Sequence, residues 1–312
     1  MPMSSSRLRL LLAGALLAGP MLAPAAAFAH RPWLLPSATS FSGEDPWVSV
    51  DAAVSNDLFF ADHFPMQTAQ IHVEAPDGAA GQIENAATGR YRSTFDVHLT
   101  RPGTWKIGTD STMLTGSFVA DGVAHRVGRR PGGPAGPGGP GGPGGPGGER
   151  PGGGKPEQGN GPAFAGPPVA AEDIPANATD IKLVEAISRN EIFVTSGQPT
   201  TGVFAPTGKG LELSPITHPD DLVAGEVAKF RFLIDGRPAA GLKLTIIPGG
   251  KRYRDAEGGF AVTTGADGVA SITWPSAGMF WLNAVATDNH PAAPRATERR
   301  MSYTTTLEVM AP

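Results

Sequence analysis

In the run Tyr91-Arg92-Ser93-Thr94-Phe95-Asp96-Val97-His98-Leu99, Tyr91, Phe95, Val97 and Leu99 fall on one face, and Arg92, Thr94, Asp96 and His98 on the other. Side chains alternate between two faces only along an extended strand, so the run predicts a strand with one face on a core. Val48-Ser49-Val50, Ile71-His72-Val73, Trp105-Lys106-Ile107 and Phe118-Val119 continue this reading between Trp33 and about Val127. Turn signals such as Pro76-Asp77-Gly78 and Arg101-Pro102-Gly103 separate them. No segment carries a helical stripe, and several short strands in so few residues predict an antiparallel sandwich.

A second β pattern starts near Ile181. Ile181–Val184, Glu191–Val194, Leu211–Leu213, Phe230–Leu233, Leu242–Ile246, Phe260–Val262, Val269–Trp274, Phe280–Leu282 and Thr305–Val309 all read as strands. Asp235-Gly236, Pro248-Gly249-Gly250 and Asp267-Gly268 are the turns between them. Between the two patterns, residues 131–148 hold only Pro, Gly and one Ala, with Gly at every third place from Gly133 to Gly148. The triplets are few and their middle position is mostly another Gly, which argues against a collagen helix. Nothing from about Gly128 to Ala170 offers enough apolar area to offset chain entropy, so a disordered linker is expected there, partly extended by its prolines and holding the flanking parts apart. The predicted fold class is all-β: two β-sandwich domains, 30–127 and 171–312, joined by a disordered Gly/Pro-rich linker over 128–170.

The first 29 residues read differently. Arg7 and Arg9 precede a short apolar stretch from Leu10 to Leu22, broken by Gly14, Gly19 and Pro20, and the segment closes on Ala27-x-Ala29. This is the pattern of a secretory signal peptide, too short and broken to span a bilayer. The expectation is a periplasmic or secreted protein with no membrane span after cleavage. A cut after Ala29 makes His30 the first mature residue, and its free α-amine and imidazole can then chelate one metal ion. A cut after Ala27 would leave Phe28 first and remove that chelate.

Composition narrows the chemistry. Residues 1–29 carry two arginines and no acid, so their removal takes the formal charge from -4 to -6. Nucleic acid is not an expected partner of such a chain. The absence of cysteine excludes disulfides, thiolate metal sites and lipoprotein anchors, and any metal site has to be built from nitrogen and oxygen donors. The expected ligands are His30 and His63, with Asp62 ligating or orienting beside His63 and His72 next in line. The metal would be nickel, cobalt or copper. His98, His125 and His218 read as structural or solvated, and His290 as a loop candidate ligand from the other domain. Trp33, Trp47, Trp105, Trp274 and Trp281 read as core. No Gly-x-Ser-x-Gly, no HExxH and no phosphate loop of correct spacing is present, so no enzyme is expected.

Three stretches carry a resemblance. They are His30-Arg31-Pro32-Trp33-Leu34-Leu35-Pro36-Ser37, Gly210-Leu211-Glu212-Leu213-Ser214-Pro215-Ile216-Thr217-His218-Pro219, and Phe230-Arg231-Phe232-Leu233-Ile234-Asp235-Gly236-Arg237-Pro238 with the Ala239-Ala240-Gly241 that follows. Together they resemble a bacterial periplasmic family of unknown function associated by name with nickel uptake, the NikM-like component of a transport complex. Thr264–Val269 and Pro275–Trp281 fit the same pattern. The resemblance implies immunoglobulin-like or transthyretin-like β-domains, a counterpart to His63 in the family pattern, and a membrane metal transporter complex as partner. The expected function is therefore a periplasmic accessory protein that binds a transition metal for uptake or handling. The competing expectation is a metal-free β-sandwich module that binds a glycan or a protein.

Overall fold

The computed structural model describes residues 30–128 and 164–312. The expected signal peptide and most of the expected linker lie outside them. In chain order the first strands are β1 (Arg31–Pro36), β2 (Ser40–Phe41), β3 (Trp47–Ser55), β4 (Phe64–Pro65), β5 (His72–Glu74), β6 (Glu84–Thr88), β7 (Ser93–His98), β8 (Gly103–Ala120) and β9 (Val123–Val127). The rest are β10 (Thr179–Ser196), β11 (Leu211–Pro215), β12 (Val227–Ile234), β13 (Arg237–Pro238), β14 (Lys243–Pro248), β15 (Phe260–Thr263), β16 (Val269–Thr273), β17 (Gly278–Asp288) and β18 (Glu298–Val309). Only short 3-10 turns interrupt them, and among the described residues no helix is long and apolar enough to cross a membrane.

These strands form three sheets. The first runs β1-β3-β7-β6 with β4 on β3, the central one β15-β14-β17-β18-β10-β8-β5 with β2 on β10 and β9 on β8, and the third β11-β12-β13 with β16 on β12. The pairings are antiparallel except that β10 runs parallel to β18 and to β2. Alternation explains the local choice: in β7, Phe95 and Val97 are buried between half-buried polar neighbours, and β12 alternates the same way through Ala228, Phe230 and Phe232. Asp235 and Gly236 both take positive φ, 51° and 75°, which gives the tight turn that joins β12 to β13.

The central sheet is packed on both faces. Phe280 and Leu282 of β17 join Phe230, Phe232 and Ile272 of the third sheet in one core. Trp281, between them, points the other way and packs with Trp33, Ala53 and Leu58 of the first stretch and with Ile247. In β10, Ile192 and Val194 complete the core that holds Val50, Phe95, Val97 and Ile107, while Phe193 belongs to the opposite core. The structure is thus all-β and sandwich-like, with the first and third sheets on opposite faces of the central one.

Three expectations change. Each of the long strands β8 and β10 reads in the sequence as two short strands, because Gly108–Thr112 and Ser188–Asn190 look like polar breaks. In the fold these polar pieces face each other, Ser188 opposite Ser111 and Arg189 opposite Asp110, so the ladder runs on through them. Nor are the flanking parts held apart, since β8 and β10 pair along almost their whole length. Gly116 permits this at φ 153°, where a Cβ would lie 1.9 Å from the Lys182 carbonyl oxygen. The tail of the expected linker is also ordered. Ala165 and Val169 donate backbone hydrogen bonds to Ala124 and Arg126 of β9, and the Arg126 guanidinium sits 4.7 Å over the Phe164 ring.

Candidate functional site

β1 and β4 lie on opposite edges of β3, so that Val54 is flanked by Pro32 on one side and Phe64 on the other. Continuing each strand backwards by a residue or two brings His30 and His63 to the same end of β3, beside Ser55. Neighbouring strands are about 4.8 Å apart, so strands on either side of a common neighbour are about 10 Å apart, and two imidazoles can reach across that gap. They do so here. The His30 and His63 rings stack with centroids 3.9 Å apart and planes 20° from parallel. Phe64 closes the far side, its ring 4.7 Å from His63 and 6.1 Å from His30. Both histidines are exposed.

The platform beneath them is fixed from below. Buried Ser55 accepts the Trp33 indole N–H at 2.7 Å and donates to the Asp57 carbonyl at 2.6 Å. The loop from Asn56 to Asp62 is then clamped by the β14–β15 loop. Arg31 pairs with Glu257 at 2.5 Å, and Lys251 with Asp57 at 2.8 Å, a contact that raises the lysine's proton affinity through the Asp57 hydrogen bond. Arg252 lies 3.7 Å over the Phe60 ring. Gly249 passes so close to Phe59 that a Cβ there would fall 2.7 Å from the ring.

Of the four expected ligands, the fold brings two together. Asp62 accepts the Asn56 backbone N–H at 3.0 Å, where it shapes the loop that carries His63. His72 stands on β5 opposite Gly108 of β8, in a different sheet and beside Glu74 and Lys106 in a separate cavity. Among the described residues no group of three or more His, Asp or Glu side chains is placed to hold a metal ion. The third donor at His30 and His63 would therefore have to be the α-amine of His30, which is free only after cleavage at Ala29. The stacked rings face each other, so a shared ion also requires a side-chain rotation that turns one ring edge inward.

The other histidines have structural partners. His218 Nδ1 accepts the Asp220 N–H at 3.1 Å, so Nε2 carries the proton and donates toward Thr104 Oγ1 at 3.0 Å; burial also disfavours its charged form. His98 pairs with Asp45 and stacks on Trp47 at 4.3 Å, which leaves Trp47 38% exposed and outside the expected core. His125 stacks on Phe118 at 5.1 Å, and His290 donates its backbone N–H to Asp288. A polar chamber around Glu191 is not legible in the sequence. Its one visible trace is a pair of charged residues, Arg189 and Glu191, alternating with buried Asn190 and Ile192.

The profile of a family described as a domain of unknown function, DUF4198, matches residues 27–288. No curated protein matches the sequence. Among solved structures, the D0-D1 domain of intimin aligns over 88% of this chain and 97% of its own, at 8% identity and a TM-score of 0.18.

Proposed function

The chain belongs to the DUF4198 family, and from its paired N-terminal histidines we propose that it is a periplasmic accessory protein that binds a transition metal as cargo for a membrane metal transporter. One observation carries this reading: His30 and His63, far apart in sequence, meet ring to ring at 3.9 Å on an exposed rim. With the α-amine freed by signal-peptide cleavage, the rim supplies up to three nitrogen donors. Such a set suits Ni(II), Co(II) and Cu(II), with copper the tightest in open competition. The nickel-uptake resemblance favours nickel or cobalt instead. Exposure of the rim and its open side suit an ion that is handed on rather than kept.

The test is the intact mass and N-terminal peptide of protein taken from the periplasm, followed by titration with Cu(II), Ni(II) and Co(II). The expected result is a His30 start and one tight site that is lost in His30→Ala and in His63→Ala. Because metal must displace protons from the amine and imidazoles, affinity should fall steeply between about pH 7.5 and about pH 5.5. A Phe28 start, or variants that bind metal as well as the parent, would remove the histidine rim as the metal site, and a parent that binds no metal would favour a metal-free module that binds a glycan or a protein.

A further inference from the structure

On the face of the central sheet away from the Ile192 core, β5, β8 and β10 present a polar row. His72 and Glu191 stand on either side of Gly108, each directly opposite it in the ladder. Gly108 adds no side chain between them, and none would fit, since a Cβ there would meet the Asn190 carbonyl oxygen at 2.6 Å. The open floor forms a chamber of about 280 Å³, roofed by Val203, Phe204 and Pro206 and walled at one end by Phe193, whose ring meets Phe204 edge-on at 4.9 Å. Asp110, Arg189 and Thr207 also line a groove of about 750 Å³, so the chamber has a way in.

The charges in this chamber do not balance. Lys106 is neutralised by Glu74 at 2.6 Å and also donates to the Val203 carbonyl at 3.2 Å. Arg189 is neutralised by Glu212 at 2.9 Å. That leaves Asp110 and Glu191 with no ion-pair partner among the described residues. Tyr303 donates to Glu191 Oε1 at 2.8 Å, and among the described residues this is the hydrogen bond the carboxyl receives. Burial pushes the Glu191 carboxyl up despite nearby Arg189 and Lys106, as a carboxyl lacking a full counter-charge should behave. A half-buried acid beside apolar walls and a cavity is a place where a cation supplies what the protein withholds.

We propose that this chamber binds a small organic cation, an alkylammonium group seated between Glu191 and Asp110 with its carbon chain against Phe193, Phe204 and Val203. The volume suits a chain of a few carbons, and the groove beyond Asp110 gives it a way in. The site is separate from the histidine rim and independent of whether a metal binds there.

The test is calorimetric titration of the mature protein with butylamine near pH 8, beside 1-butanol, which has the same length and no charge. The amine should bind and the alcohol should bind at least about tenfold more weakly. Glu191→Gln keeps an acceptor for Tyr303, so it should fold with an unchanged melting temperature and weaken the amine about tenfold or more; Asp110→Asn, at the exposed mouth, should do the same. His30→Ala should leave amine binding unchanged. Equal binding of alcohol and amine, no binding of amine at millimolar concentration, or full binding by Glu191→Gln would overturn the proposal.

Discussion

Ile192 and Phe193 are neighbours in β10, yet their side chains enter different cores. Ile192 packs among residues of the first sheet, and Phe193 packs with Leu213, Phe230 and Tyr303 on the other face. One strand therefore helps stabilise both sandwiches, and a cavity on either face weakens the same ladder. Ile192→Ala and Phe193→Ala should each cost about 2–5 kcal/mol. Both should lower a single cooperative transition followed by circular dichroism. Two transitions, with each variant moving only one, would show that the two cores melt independently.

Arg299 is the hub of the end of the central sheet that holds the β17–β18 connection. Its guanidinium reaches Asp235 Oδ2 at 2.7 Å and Asp288 Oδ2 at 2.6 Å, and its side chain is only 8% exposed. Both carboxyls are held below the usual range, chiefly by the Arg299 hydrogen bonds. Depressed acids contribute stability that is present above their unfolded values and is lost as pH falls through the folded ones. Arg299→Ala should cost about 3 kcal/mol near pH 7 and should lose less additional stability than the parent between about pH 5 and about pH 2. Urea titrations across that range would measure it, and parallel curves for the two proteins would contradict the assignment.

How far the sequence disclosed all this depends on the distance over which each feature is written. Phe95, Val97 and Leu99 announce a strand locally, because burial alternates with the backbone, and they are buried as expected. Tyr91 departs from the pattern because β7 begins only at Ser93, so Ser93 rather than Tyr91 takes the next buried place. The join of β8 to β10 is written in partner strands: Arg189 and Asp110 look like loop residues until each is set opposite the other. His30 stands out by the expected cleavage site and His63 by a polar break and its family counterpart, and the fold brings them together because β1 and β4 share β3. Asp62 stands out only by adjacency to His63, but adjacency in sequence does not fix direction, and a loop N–H claims its carboxylate. The Glu191 chamber needs five segments at once, which no local pattern encodes.

Asp220 gives the fold a second and opposite pH response. It accepts the Thr195 hydroxyl at 2.5 Å in a buried polar cluster, and burial, with Glu308 nearby, pushes its carboxyl up to about 8. An acid whose folded value is raised stays protonated in the native state while the unfolded chain ionises, so stability falls as pH rises from about 4 to about 8. Asp220→Asn keeps an acceptor for Thr195 and removes the titration. The variant should therefore gain stability relative to the parent as pH increases through that window, by a few kcal/mol at most. Thermal denaturation at pH 5 and at pH 8 is sufficient, and a variant that falls behind the parent at pH 8 would show that the native carboxyl is already ionised.

The division of labour at the histidine rim predicts unequal variants. Asp62 holds the Asn56 N–H, so it acts through the position of His63. Asp62→Asn retains an oxygen for that hydrogen bond and should change metal affinity by less than about tenfold. His63→Ala removes a donor and should abolish tight binding. Glu257→Ala, which frees Arg31 from the clamp at the start of β1, should lie between the two, because the amine and ring of His30 then lose their fixed bearing. The ranking is read from competition titrations against a chromophoric chelator at constant pH. If Asp62→Asn binds as poorly as His63→Ala, the carboxylate is a ligand after all, and the loop must turn to deliver it when metal arrives.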